Sequence, residues 1–286
     1  MSVLSGILGV VNGQDTVRTW SVTSTADLSA LYASNTKGAP IRLDGNKDWT
    51  GEFTAYGFQP ALVPGEFFKF QGSVDGAKGV TSEVLGAIVD TITITGDIEG
   101  GGAIEYTCAF SGNGTLTSEV TPLTDATCPQ PLSAIGSYVT LEQTDDAGVE
   151  ANITDVRTWS ITLTRANTAY NSSTTGGQTK RLKGNFDATI SLSIYEDDFD
   201  DIIQPNEEQI VRIYHEGVPV GSEGDDTFWE FQWIKFNDGG GYEIDREGAA
   251  LIGYTANGGF SAFTDIVGVC TEGTIVMPDT TVLWPE

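Results

Sequence analysis

Alternation with a period of two dominates the chain. In "NFDATISLSI", Phe186, Ala188, Ile190, Leu192 and Ile194 fall on one side of an extended strand, and Asp187, Thr189, Ser191 and Ser193 fall on the other. Successive strand side chains point to opposite faces, so the pattern predicts a half-buried antiparallel strand. Trp49, Phe53 and Ala55 alternate in the same way with Asp48, Thr50, Glu52 and Thr54. In "VRTWSVT", Trp20 and Val22 share a face with Arg18, opposite Thr19, Ser21 and Thr23, and in "VRTWSITLT" the apolar side is Trp159, Ile161 and Leu163. Further strands are predicted at 67–70, 87–95, 104–110, 210–214, 228–236 and 249–254. The segment "TFWEFQWIKF" differs, because Phe228 and Ile234 face one way and Trp229, Phe231 and Trp233 the other. Apolar character on both faces requires cover on both. Trp229, Phe231 and Trp233 are therefore candidates for a subunit interface, and Leu283 and Trp284, in the last residues of the sequence, join them.

Helical signals are few. Thr25 as an N-cap before Leu28, Leu31 and Tyr32 predicts one short helix, and "DDFDDIIQ" from Asp197 a second, acidic one. "GDIEGGGAIE" and "NDGGGYEID" read as glycine-rich hairpin tips, and neither has the G-K-[ST] of a phosphate-binding loop.

The pentapeptide "VRTWS" occurs at Val17 and again at Val156. Residues 17–57 lie on 156–196 at a constant offset of 139 without a gap, and 18 of the 41 positions are identical. Chance at ordinary composition gives roughly 2 or 3. The identical pairs include Arg18/Arg157, Trp20/Trp159, Arg42/Arg181, Gly45/Gly184, Asp48/Asp187 and Tyr56/Tyr195. The chain reads as an internal duplication whose period is too long for a solenoid unit and long enough for a domain. The three prolines of "TPLTDATCPQPLSAIG" mark a linker at 121–134, between a first domain at 1–120 and a second at 135–286 that ends in a C-terminal arm. Trp20 and Trp159 are expected to anchor the two cores. Arg18 and Arg157 are placed to snorkel, or to pair with Asp48 and Asp187.

Charge narrows the partners. With 14 basic against 40 acidic residues the formal net charge is -26. Tight nucleic-acid binding needs Lys and Arg facing phosphates, and this balance argues against it. Two readings of the acidity stay open: plain solubility, or a surface that does not hold a polyanion passing close by. Cys108, Cys128 and Cys270 lack the spacing of a zinc site or a disulfide framework and fit a reducing compartment. The first residues show no basic stretch and no cleavage pattern, and no run approaches the ~18 apolar residues of a membrane span. The expectation is a soluble chain made in the cytosol, with no membrane partner.

Candidate chemistry is nearly empty. His215 is the sole histidine, and no serine sits in a G-x-S-x-G elbow. The acidic run Glu196 to Asp201 lacks the alternation of a calcium loop, and nothing singles out two carboxylates for glycoside hydrolysis. The sequons at Asn113, Asn152 and Asn171 matter only in a secretory pathway. No catalytic, cofactor-binding or metal-binding residue is assigned, and no enzyme is expected.

A strand with a central Trp ("VRTWSI") is followed by a polar loop ("NTAYNSSTTGGQTKR") and by a glycine leading into a long alternating strand ("LKGNFDATISLSIYEDD"). In this order, and with the repeat, the sequence resembles the tail tube proteins of long-tailed bacteriophages, over about 40 residues of each copy. The first copy departs from the second by having "GFQPALVPGEFF" where the second has its acidic segment. The resemblance implies an all-β fold with minor α, made of two tandem tail-tube-type β-sandwich domains with at most one short helix each. It further implies the fused type, whose trimeric rings carry six quasi-equivalent domains and stack around a DNA-conducting lumen. Lumen-lining candidates are then Asp48, Thr50, Glu52, Asp187, Thr189, Ser191 and Ser193. The implied partners are further copies of the chain and the tape measure, tail terminator and distal tail proteins. DNA would pass without tight binding. The place would be the virion tail, assembled in the host cytoplasm, and no cofactor is implied. The rival readings are another virion β-sandwich, such as a capsid decoration or tail terminator protein, and a secreted carbohydrate-binding or adhesin module.

Overall fold

The computed structural model describes residues 2–6, 8–11, 14–32, 34–56, 63–74, 78–119, 133–143, 150–153, 155–196, 208–216, 227–236, 242–244, 250–258, 266–271 and 274–276. The described part is almost entirely β-structure. The first half holds β1 (Ser2–Gly6), β2 (Leu8–Val11), β3 (Gln14–Leu31), β4 (Ile41–Tyr56), β5 (Phe67–Phe68), β6 (Phe70–Ser73), β7 (Gly79–Ser82), β8 (Ala87–Asp97), β9 (Glu105–Gly112) and β10 (Leu116–Glu119). The second half holds β11 (Tyr138–Gln143), β12 (Glu150–Ile153), β13 (Val156–Arg165), β14 (Thr168–Tyr170), β15 (Lys180–Leu182), β16 (Phe186–Glu196), β17 (Glu208–Glu216), β18 (Thr227–Phe236), β19 (Tyr242–Ile244), β20 (Ala250–Gly258), β21 (Ile266–Thr271) and β22 (Thr274–Val276). Among the described residues the only helical pieces are two 3-10 turns, Ser34–Thr36 and Ala134–Gly136. The predicted acidic helix, residues 237–241 of the second glycine-rich tip, most of the 121–134 linker, and Leu283 and Trp284 lie outside the described residues.

One antiparallel path runs through both halves in the order β3, β4, β9, β8, β13, β16, β20. Its odd-numbered side chains on β4 and β13, and the matching positions of the other strands, turn inward. Trp20 lies opposite Phe53, Ile94 opposite Ile161, and Trp159 opposite Leu192. All of these are buried. The buried apolar residues of the two halves form one cluster, from Val17 to Ile213. In the first half a second layer, β2, β6, β7 and β10, covers this face in sandwich-like fashion. Its Phe70 packs edge-on to Trp20 at 5.6 Å and against Phe110 at 4.9 Å between ring centroids. Burying each such ring is worth ~1.5–3 kcal/mol, with the edge-to-face geometry adding to it.

Positions related by the offset of 139 pair alike. Trp20 faces Phe53 and Thr23 faces Thr50 in the first copy; Trp159 faces Leu192 and Thr162 faces Thr189 in the second. Both ladders slip by one residue at the same place, between Val17 and Thr19 and between Val156 and Thr158. The register corrects one expectation. Asp48 lies opposite Thr25 and Asp187 opposite Thr164, seven residues along the ladder from Arg18 and Arg157, so those pairs cannot form. Arg18 pairs with Glu105 at 3.3 Å and lies over the Tyr56 ring, and Arg157 pairs with Glu99 and lies over Tyr195.

A second expectation also falls. The helix from Thr25 is strand: β3 continues to Leu31, with Ala26 to Leu31 laddered onto Lys47 to Ile41. A cap and three apolar residues are a weak local signal, and a full antiparallel partner satisfies the same backbone groups. In the second copy the corresponding hairpin breaks between β13 and β14, and β14 with β15 forms a separate arm. The end of the linker is docked. Ser133 bridges to Ala103, and the buried Ala134 donates its N–H to Gly102 O at 2.9 Å.

Trp159 depends on a neighbour without a side chain. Its indole lies across Gly96, and its Nε1 donates to Ser137 Oγ at 2.9 Å. A Cβ on Gly96 would overlap the indole. Gly96→Val is expected to cost ~1–3 kcal/mol through overpacking. Urea unfolding measures this, and an unchanged midpoint would refute the packing described.

Candidate functional site

The face opposite the core is unusual in composition. Thr19, Thr54, Thr107, Thr93, Thr162 and Thr189 stand directly beside one another across six strands, and Asn257 continues the row. Two residues along, a parallel row holds Ser21, Glu52, Ala109, Thr91, Thr164 and Asp187. On the other side lies a row of Tyr56, Glu105, Thr95, Ser160, Ser191 and Thr255. The side chains described in these rows are half-buried or exposed. Thr suits the place for two reasons: its β-branch fits the pleated backbone, and its hydroxyl keeps the face wetted. Across the joint between the halves, the Oγ1 atoms of Thr93 and Thr162, and of Thr91 and Thr164, approach to 3.5 Å. No Lys or Arg stands in these three rows, although Arg18 reaches Glu105 at one end; Glu52 and Asp187 add carboxylates without an ion pair among the described residues.

The site residues expected from sequence fall mostly on this face. Thr50 is exposed between Thr23 and Ser111. Glu52 is exposed, and Thr189, Ser191 and Ser193 are half-buried on the same side of β16. Asp187 is exposed at the start of that strand. Asp48 stands apart. It is half-buried and accepts two hydrogen bonds from Arg181 Nη2, at 2.8 and 3.1 Å, whose side chain is only 6% exposed. Sequence reasoning missed the threonines of β8, β9 and β13 as members of the face, although the alternating "TITIT" from Thr91 carries the signal. Trp229, Phe231 and Trp233 lie on β18, with their side chains outside the described residues, as is the side chain of His215 on β17.

Electrostatic clamps sit at the end of the sheet. The Tyr195 hydroxyl, followed by Arg157, holds the Glu99 carboxyl below its ordinary range, and Glu99 in turn raises Tyr195 and Arg157. Burial, followed by the charges of Asp90 and Glu52, pushes the Cys108 thiol well up, so it stays protonated and unreactive. Burial lowers Arg165, which donates to Gly184 O at 2.9 Å from beneath the arm. Among the described residues no three His, Cys, Asp or Glu side chains gather as metal ligands, and no helix is long and apolar enough to cross a membrane. What the face can do chemically is stay hydrated and repel anions.

Two outcomes follow for the side chains described. Lys at Thr50 or at Thr189 is expected to shift stability by no more than ~0.5 kcal/mol each, as for other outward positions, whereas Ile190→Lys prevents folding. Circular dichroism with thermal melting separates these, and equal damage at all three sites would mean the faces are misassigned. In a carboxyl NMR titration Glu99 is expected below 4.5, and Tyr195→Phe moves it up towards that value because its principal hydrogen bond is gone; a midpoint unmoved by the substitution would rule out that bond. No protein-family model matches the sequence, and no curated protein is similar to it.

Proposed function

We propose that the chain is the structural subunit of a long-tailed phage tail tube, polymerising as stacked trimeric rings around a lumen through which DNA passes. The observation that carries this reading is the antiparallel sheet shared by both halves, apolar and covered on one side and built of Thr, Ser and carboxylates on the other. A tube wall needs such a sheet. The covered side holds the subunit together, and the wet side offers a moving polyanion nothing to bind. The net charge of -26 acts in the same direction. Head-to-tail contacts close into a ring when the rotation fits, and a chain with two similar halves needs half as many copies. Closure also removes sheet edges. Thr50, Glu52, Thr189, Ser191 and Ser193 would line the lumen, with Asp48 and Asp187 nearer its rim. The tape measure, terminator and distal tail proteins would be its partners in the virion.

Negative-stain imaging of the purified protein, alone and with a tail initiation complex, should show rings or tubes; a persistent monomer under all conditions would refute the reading. Phage carrying both Thr50→Lys and Thr189→Lys should build normal tails yet eject DNA slowly at low salt. Each added charge contributes ~1 kcal/mol of attraction to a close phosphate in water, and the charges repeat along the tube. Screening over ~8–10 Å should restore the rate as salt rises. Wild-type ejection at low salt would show that this face does not meet DNA.

A further inference from the structure

The joint between the two halves has a geometry that the chain's two ends could repeat. At the joint, β8 and β13 pair from Thr91 opposite Thr164 to Asp97 opposite Thr158, with Gly96 facing Trp159. The strands that could compete for these edges stand aside. β11, which precedes β13, pairs with β12 and β17 instead, and β5 takes only Ala87 and Ile88 of β8. At the two ends the equivalent strands do the opposite. β1 lies along β3 from Ser2 opposite Ser24 to Gly6 opposite Trp20, in the place that β8 takes on β13. β17 covers β18 from Glu216 opposite Thr227 to Glu208 opposite Lys235. Both end edges are thus capped by the chain's own strands.

The arm offers a second, independent observation. The β14–β15 arm folds across the first half. Thr179 N donates to Lys47 O at 2.9 Å, Lys47 N to Gly177 O at 2.8 Å, and Arg181 N to Asn113 Oδ1 at 2.9 Å. Its Arg181 closes on Asp48. In the first half the corresponding hairpin exposes Leu28, Leu31, Tyr32, Ile41 and Leu43, each by about half or more. The register sets Leu31, Ile41 and Leu43 on one side of this hairpin and Leu28 with Arg42 on the other, and exposed apolar side chains grouped in this way mark an interaction surface. Arg42 and Asp187, the identical counterparts of Arg181 and Asp48, are both exposed, and neither has an ion-pair partner among the described residues. One of two equivalent ion pairs is made within the chain. The halves of the other lie on its two separate ends.

We propose that a second copy of this chain docks on β3 and makes the internal joint again between chains. β1 leaves the edge of β3, β18 of the second copy takes its place as β17 retracts, and the 28–43 hairpin folds across the second copy with Arg42 on its Asp187. The inference rests on the self-assembly proposed above and assigns its contacts. β1 and β17 then serve as caps that keep a lone chain from pairing at random until an ordered partner arrives.

The test uses the full chain. Arg42→Glu and Asp187→Arg alone should each raise the critical concentration for polymer formation, followed by light scattering with wild-type seeds, by roughly tenfold, and the double variant should restore it to within about threefold. Both positions are exposed, and circular dichroism checks that each variant folds. A second experiment locks the cap. Val3 and Thr23 are directly opposite, a spacing that a disulfide spans. In a Cys128→Ser, Cys270→Ser background, Val3→Cys with Thr23→Cys should assemble when reduced and not when oxidised. A double variant no better than the single ones, or an oxidised lock that assembles like the reduced one, overturns the inference while leaving the tube reading standing. A wild-type chain that never polymerises overturns both.

Discussion

A strand inside a sheet has two edges, and every N–H and C=O along both must find a partner. That requirement is met across the middle of this chain. β13 opens the second half, yet one of its edges is bonded to β8 of the first and the other to β16 of its own. The two halves are therefore not beads on a string. Their cores merge into one cluster because the backbone ladder that backs them is shared. Loss of that ladder would expose Ile94 and Ile161 together with the bonding groups around them. The halves should accordingly unfold as one cooperative unit.

Separation of the faces follows from this ladder. Once Trp20, Phe53, Ile92 and Ile161 are pinned inward, the pleat leaves no choice for Thr54, Thr93 and Thr162. Register across six strands then aligns the threonines into a single row. The two arginines at the bulges anchor the sheet's end, each held over a tyrosine ring and against a glutamate, and Arg18 thereby neutralises the outermost row of the face at Glu105.

How much of this was legible depended on range. The alternation of Thr50 and Glu52 with Phe53, or of Thr189 with Ile190, is a property of neighbouring residues, and both the strands and their faces could be read from it. The helix expected at Thr25 failed because the winning interaction, pairing with 41–47, lies across a turn and leaves no mark in the local pattern. Arg18 was misplaced because the register of β3 on β4, which sets Asp48 opposite Thr25 and not near Arg18, is fixed by a turn that the local pattern does not show. The joint of β8 with β13 was invisible for the same reason as the hairpin, only more so, being set by partners some 70 residues apart, as for Thr93 and Thr162. The identity of Arg42 with Arg181 and of Asp48 with Asp187 was in plain view, but its meaning needed one of the pairs to be seen in contact.

Asn113 sits beneath the folded arm. Its Nδ2 donates to Leu85 O at 3.2 Å while its Oδ1 accepts from the Arg181 backbone. Asn113 also heads an N-x-T sequence, and Nδ2 is the atom to which an N-linked sugar would be joined. A glycan placed there before folding would stand where the arm has to lie, holding Lys180 and Arg181 away from Asn113 and Asp48. The docked arm is thus incompatible with glycosylation at this residue, and a chain folded in a glycosylating compartment could seat it only by escaping that modification.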